Sequence, residues 1–343
     1  MAKKLALIAI LAASLAAAPC RAQIVKVGSL APISSPWDNH LRQLSATWAR
    51  LSQGKVALKV YAGGVLGDEP DMIRKIRIGQ LSAALITVSG LGLIHSSLIT
   101  PAIPYMIQSD AELDYVLERI RPVHEAELEK RGFVALGWTK GGWIHFFSRR
   151  PIVTPDDLRD QKLWAWTDDA ATVRAWQSRG FKVVVMPAND LLVGLQTGMV
   201  DALATSPLIA ASNQLFGVAQ HMSEMNFAPL YGALIISRTT WNRIPSDLRP
   251  RLQAAVADAC RLMSREADAL NAEALRIMRQ HGLQTHTVPE SARNEWQTLF
   301  LDGYQVLVGS VFDQAAFDLT TELIGEFRDQ SSEQSNGRSD NSQ

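Results

Sequence analysis

A repeated strand-then-helix order constrains the fold of this chain more than any other feature. Ile24 to Leu30 reads as a buried strand, Ser35-Pro36 supplies an N-cap and a proline at the first helical position, and Trp37, Leu41, Leu44, Trp48 and Leu51 follow at helical spacing. Val56 to Tyr61 alternates as a strand and Gly63-Gly64 breaks it. Asp68 to Ile78 carries a short helix closed by Gly79, and Ser82 to Ser89 returns as an apolar strand. Strands joined through helices must cross over in one hand, which implies a parallel sheet covered by helices on both faces.

The second half repeats the pattern. Lys162 to Trp166 is a strand, Asp168 to Ser178 a helix, Phe181 to Met186 a strand, Asn189 to Thr197 a helix stopped by Gly198, and Val200 to Thr205 a strand. The economical reading is an α/β protein of two similar lobes with mainly parallel sheets. Ser246 to His281, bounded by Pro245 and Gly282, keeps an apolar stripe of Leu248, Leu252, Val256, Ala259, Met263, Leu270 and Ile277. A helix of that length reaches about 54 Å, more than one lobe needs, so it is expected to span both lobes. The expected division places 23–141 and about 230–270 in one lobe, and 142–229 and about 271–330 in the other. The polar segment 331–343 is expected to be a disordered tail.

The N-terminus reads as an address. Lys3-Lys4, the apolar run Leu5 to Ala18 and the small-x-small site Cys20-Arg21-Ala22 form a cleavable signal peptide over 1–22, so the mature protein begins at Gln23 and is exported to the periplasm. Lipid attachment through Cys20 is the weaker alternative, because Pro19 fits a lipidation motif poorly. Loss of Cys20 leaves Cys260 alone, without an internal disulfide. Charge excludes a nucleic-acid partner: 34 basic residues balance 34 acidic ones, and no run of them forms a stripe.

Signs of catalysis are missing too. Gly90-Leu91-Gly92-Leu93-Ile94-His95 begins like a dinucleotide fingerprint, but His95 takes the third glycine's place. The chain has no G-x-S-x-G, and its histidines show no H-x-x-x-H pairing. No catalytic residue, cofactor or metal site is therefore expected, and the chain reads as no enzyme.

Several short segments, in their order and spacing, carry a family resemblance. They are Ser35-Pro36-Trp37; Tyr61-Ala62-Gly63-Gly64-Val65-Leu66-Gly67-Asp68-Glu69; Gly79-Gln80-Leu81; Pro101-Ala102-Ile103-Pro104-Tyr105; Asp157 to Trp164; and Leu195 to Ala202. Together they resemble the DctP-like periplasmic solute-binding proteins of tripartite ATP-independent periplasmic (TRAP) transporters. The resemblance implies a two-lobed periplasmic-binding-protein fold that closes on one small-molecule ligand and delivers it to the membrane subunits of a permease.

Two departures bear on the ligand. Trp164 stands where most of that family has an arginine forked onto the ligand's carboxylate, and Ile144 where many acid-binding members have a second. Without either clamp, a desolvated carboxylate would be costly, so an apolar or neutral ligand is expected. This resembles the family's subset that binds hydrophobic molecules, some of whose members work with a periplasmic helical-repeat lipoprotein. The alternatives are a C4-dicarboxylate or other carboxylate held by another cation, with Lys140, Arg149, Arg150 and Lys162 nearby, or a ligand-presenting sensor without a permease.

Ligands of open α/β sheets bind beyond the carboxyl ends of the strands. That nominates the ends after Leu30, at Val88-Ser89, from Trp164 to Thr167, and at Thr205-Ser206. Trp164 and Trp166 lie two apart on a strand and share one face, away from Leu163 and Ala165. A cleft position carries little packing, so Trp164 is expected to be dispensable for folding. Trp143, His145, Trp37 and Asn189 complete the candidates. Each has a plainer reading: Trp37 as helix packing, Asn189 as a helix start, Ser206 as a cap, His145 as a satisfied buried histidine.

Overall fold

The computed structural model describes residues 22–166, 170–309 and 311–340. Residues 1–21 of the expected signal peptide, Cys20 among them, and the candidate strand end at Thr167 lie outside the described residues. Strand β1 (Gln23–Ser29) leads into helix α1 (Pro36–Leu51), whose N-cap Ser35 accepts the Asp38 N–H through Oγ at 3.3 Å. Strand β2 (Val56–Tyr61), helix α2 (Glu69–Arg77) and strand β3 (Ala83–Thr87) follow. β3 stops short of the expected Ser89, because Thr87 turns its hydroxyl onto the Ser89 N–H and caps helix α3 (Val88–Ile94). The segment that begins like a dinucleotide fingerprint is thus an ordinary helix. Gly90 is required there because a Cβ would lie 2.5 Å from Glu69 Oε2.

Helix α4 (Asp110–Lys130) and the long strand β4 (Phe133–Ser148) carry the chain from one lobe to the other. Then come α5 (Pro155–Arg159), β5 (Lys162–Ala165), α6 (Ala170–Ser178), β6 (Lys182–Val185), α7 (Leu191–Thr197), β7 (Ala202–Thr205), α8 (Pro207–Ser212) and β8 (His221–Ser223). Strand β9 (Ala228–Ser237) returns to the first lobe, followed by α9 (Arg238–Arg243), α10 (Arg249–Gln280), β10 (Gln284–His286), α11 (Glu290–Leu307) and α12 (Gln314–Asp340).

The strands run in the order β2-β1-β3-β9-β4-β7-β5-β6, with β8 on β4 and β10 on β8. The strand-helix-strand units pair in parallel as expected: β1 with β2 and β3, β5 with β6 and β7. The two long strands add an antiparallel centre. β4 leaves the first lobe as β9 re-enters it, so the two oppose each other, and β4 changes partner from β9 at Ile144 to β7 at His145.

Each sheet face has its own apolar layer. Val25, Leu41, Trp48, Val56, Leu234 and Leu252 fill one side of the first lobe, and Met72, Ile86, Leu91 and Ile235 the other. Fully burying one such aliphatic side chain contributes about 1.5–3 kcal/mol. Helix α10 joins the lobes as the sequence led one to expect: Leu252, Val256, Cys260 and Met263 enter the first core, and Met278 the second. Its 32 residues span about 48 Å. It begins at Arg249 rather than Ser246, because Leu248 N–H closes a turn on the Pro245 carbonyl and Pro250 then occupies the first helical turn. Burial pushes the Cys260 thiol, free among the described residues, up to about 12, so it packs as an inert small hydrophobe.

Helix α12 runs through Ser331 to Asp340, and residues 341–343 of the expected tail lie outside the described residues. Leu323 and Ile324 anchor that helix against α4, and Ser331 and Ser332 bond back to the Phe327 and Asp329 carbonyls. Among the described residues no helix is long and apolar enough to cross a membrane.

Candidate functional site

A cavity of about 340 Å³ opens where the strand ends of the two lobes face each other. From the first lobe it is lined by Ser29 and Leu30 after β1, by Trp37 on α1, by Glu69 on α2 and by Thr87 and Ser89 at the β3–α3 corner. From the second come Trp164, Trp166, Asn189, Leu191, Leu203 and Thr205. Ile144 and Leu230 form part of the floor.

The candidate residues separate into two sets. Trp164, Trp166, Ser89, Thr205, Trp37 and Asn189 share the cavity wall; Trp143, His145 and Ser206 do not. Trp143 packs with Ile107, Leu113 and Leu323 between β4 and α12, and its side chain bonds Asp110. His145 lies beside Ser223, whose carbonyl sits 3.2 Å from Nδ1, and burial lowers its pKa. Ser206, almost wholly buried, caps α8 by accepting the Ile209 N–H. Val88, also nominated as a strand end, is buried in the first-lobe core. Of the hydroxyl pair at the end of β7, Thr205 alone faces the cavity.

The period-two alternation at the second-lobe wall is as expected. Trp164 and Trp166 face the cavity side with ring centroids 4.8 Å apart, while Leu163 joins the layer behind the sheet. The expectation that Trp164 carries little packing is corrected. Its side chain is 8% exposed, belongs to the second-lobe core with Leu195 and Leu203, and donates from Nε1 to the Met186 carbonyl at 3.0 Å. Its one polar atom is therefore already committed to the protein.

Trp37 differs. Its Nε1 is buried with no hydrogen-bond partner among the described residues. The ring packs beside Gly141, where a Cβ would meet Leu230 at 2.8 Å and lie 3.2 Å from the ring edge. The loop before α1 is held firmly, with Ser34 in the left-handed region at φ 65° and its N–H donating to Asp38 Oδ2 at 2.8 Å.

Glu69 escaped notice in the sequence, although it closes the Gly67-Asp68-Glu69 segment. It is the one acidic or basic side chain among the described lining residues. Burial raises its carboxyl to about 7, against the opposing effect of the Thr87 N–H at 2.7 Å, the Thr87 hydroxyl at 2.9 Å and the Gly90 N–H. Nothing in its residue type or spacing separates it from an ordinary acidic first turn. Its environment comes from the corner that β3 and α3 fold over it.

The four cations near the cleft in sequence are engaged elsewhere. Lys140 pairs with Asp114 at 2.5 Å, Arg149 donates to the Leu195 carbonyl at 3.0 Å, Arg150 to the Asp160 carbonyl at 2.7 Å, and Lys162 to the Gly198 carbonyl. None of them lines the cavity.

Asn189 joins the two walls. It lies in a short 3-10 turn before α7, and its Nδ2 donates across the cleft to the Gly64 carbonyl at 3.3 Å. Gly64 adopts φ +69°, and a Cβ there would meet Asn189 Oδ1 at 2.5 Å, so glycine is needed both for the turn and for the approach. On the far side, Asn271 of α10 accepts the Leu208 N–H and donates to the Gly141 carbonyl, tying α8 to β4.

Residues 27–308 match the family described as bacterial extracellular solute-binding protein, family 7. The chain is 23% identical over 296 residues to the sialic acid-binding periplasmic protein SiaP of Vibrio cholerae, covering 85% of this chain and 92% of that one. It is 22% identical over 279 residues to the C4-dicarboxylate-binding periplasmic protein DctP of Rhodobacter capsulatus, covering 80% and 83%. In structure it resembles a TRAP periplasmic solute-binding protein of Xanthobacter autotrophicus solved with β-D-galacturonate, with TM-score 0.81, 20% identity and coverage of 88% and 99%. A TRAP protein of Sulfurospirillum deleyianum solved with succinate superposes with TM-score 0.80 at 20% identity, covering 88% and 98%.

Proposed function

The chain belongs to the bacterial extracellular solute-binding proteins of family 7, and from that premise we propose that it is a TRAP receptor for a small neutral or largely apolar ligand, handed on to the membrane subunits of a permease. One observation carries the ligand class: the described cavity lining holds no lysine or arginine, and the cations nearby are tied to other partners. An isolated carboxylate moved into such a site loses its hydration without a countercharge. Trp164, Trp166, Leu191 and Leu203 instead offer apolar area.

The ligands of relatives carry a second reading, a carboxylate. Sialic acid and C4-dicarboxylates appear in the names of two relatives, and galacturonate and succinate occupy two solved neighbours. In this chain such a ligand would depend on neutral donors, with Glu69 protonated, since its ionised form would repel the anion.

Calorimetric titration with succinate and D-glucuronate at pH 6 and pH 8 separates the two. The neutral-ligand reading expects no binding of either acid at both pH values. The carboxylate reading expects binding that strengthens from pH 8 to pH 6, as Glu69 takes up its proton.

A further inference from the structure

An aromatic corner on the second-lobe wall deepens the neutral-ligand reading. Trp164 lies in β5 and Trp166 just past its end, and their rings meet with centroids 4.8 Å apart and planes 58° apart. The two are not equally engaged. Trp164 is 8% exposed, packs with Leu195 and Leu203, and turns its nitrogen to the Met186 carbonyl. Trp166 packs against that core only from its margin and stays half-buried on the cavity wall. A half-buried indole at a cavity is apolar area that the protein's own side chains leave uncovered. The one acidic side chain among the described lining residues does not turn this corner into a cation site. Glu69 is 1% exposed, and its carboxyl oxygens accept the Thr87 N–H and hydroxyl.

We propose that the ligand is a neutral planar aromatic compound whose ring lies on Trp166 in the corner closed by Trp164, and that Trp166 is the specificity-determining residue; the proposal rests on the neutral-ligand reading of the same cavity. Two tilted rings in contact present a π-face and a ring edge side by side. A third ring meets them in the offset and edge-to-face arrangements that aromatic groups prefer, and gains attraction beyond the area it buries. A saturated ring of the same size buries the same area without that gain. Packing holds Trp164 in place before any ligand arrives, so the corner is formed in advance and little is lost in ordering it. At about 340 Å³ the cavity stands at the small end of ligand pockets, roughly 300–1,000 Å³, which suits a molecule of one or two rings.

Calorimetric titration with benzyl alcohol and cyclohexylmethanol tests this, since the two share their carbon skeleton and hydroxyl and differ in whether the ring is aromatic. Where burial alone decides, the more apolar cyclohexylmethanol binds at least as tightly. The wild type should instead bind benzyl alcohol about fivefold more tightly, as one added aromatic contact implies. Trp166→Leu should abolish that preference, and Trp166→Phe, which restores a ring, should retain part of it; circular dichroism checks that both variants are folded. In proton NMR spectra of the wild type, which need no variant, the ring protons of benzyl alcohol should move upfield on binding, as protons over an indole face do. Equal affinities in the wild type, or a preference that survives in Trp166→Leu, would overturn the assignment while the neutral-ligand reading stands. Tetramethylammonium bound more tightly than either alcohol would overturn it in favour of a cation on the same rings. If neither alcohol binds the wild type, the neutral-ligand reading fails and the assignment fails with it.

Discussion

The two walls of the cleft are built from similar residues but differ in what they leave unpaired. On the second-lobe wall, Trp164 and Trp166 touch, Leu191 and Leu203 back them, and the Trp164 N–H is bonded to the Met186 carbonyl. On the first-lobe wall, the buried Trp37 N–H has no partner among the described residues and Glu69 keeps a carboxyl held up to about 7 by burial. One wall is an extension of the core that happens to face a cavity. The other carries the one acidic or basic side chain among the described lining residues. The tryptophan in the expected arginine's place is thus not a substitute clamp. It closes the wall with packing.

The largest test of this contrast is stability. Trp164→Ala should cost about 3–5 kcal/mol, the range for emptying a large aromatic site in a core. Trp37→Phe, which keeps most of its apolar volume, should cost less than about 1 kcal/mol. Urea unfolding of both variants measures the gap. Equal costs would mean that the walls are not built differently.

Next in size is the pH dependence set by Glu69. Its carboxyl in the fold titrates near 7, above the ordinary 4.5, so the folded protein holds a proton that the unfolded chain releases. Stability from this group is therefore lost as pH rises from about 4.5 through about 7, and is untouched below that window. Glu69→Gln should remove the loss and gain about 3 kcal/mol over the wild type at pH 8, with little difference at pH 4. Denaturation midpoints at the two pH values check this. Parallel pH profiles for the two proteins would show that Glu69 is not the buried acid of the first-lobe wall.

The smallest effect belongs to the link between the walls. Asn189→Ala removes one hydrogen bond, to the Gly64 carbonyl, and should speed ligand release about fivefold, matching roughly 1 kcal/mol. Stopped-flow dissociation of a bound probe reads the rate. An unchanged rate would mean that the walls close without that contact.

Much of this layout was legible in the sequence wherever a local rule governs it. Period-two spacing placed Trp164 and Trp166 on one face, Ser35-Pro36 marked the start of α1, and the apolar stripe after Pro245 foretold the helix that joins the lobes. What stayed hidden depends on partners far away in the chain. Trp143 was drawn from the cleft by residues as distant as Leu323, and Thr205 and Ser206 were told apart by the start of α8. Glu69 looked like any acid in a first turn, yet the Thr87–Gly90 corner buries it, and no spacing rule encodes that fold-back. The Trp37 N–H, without a partner among the described residues, is of the same kind, since whether a donor finds an acceptor is decided only by the assembled structure.

The central claim is that the cleft recognises a neutral molecule. It is tested most directly by the molecule the receptor carries when purified from cells. Native mass spectrometry, followed by extraction and identification, should find a neutral, largely apolar compound without a carboxylate. Recovery of a mono- or dicarboxylate, such as a uronate or succinate, would contradict the account and assign this receptor the ligand class of its solved relatives.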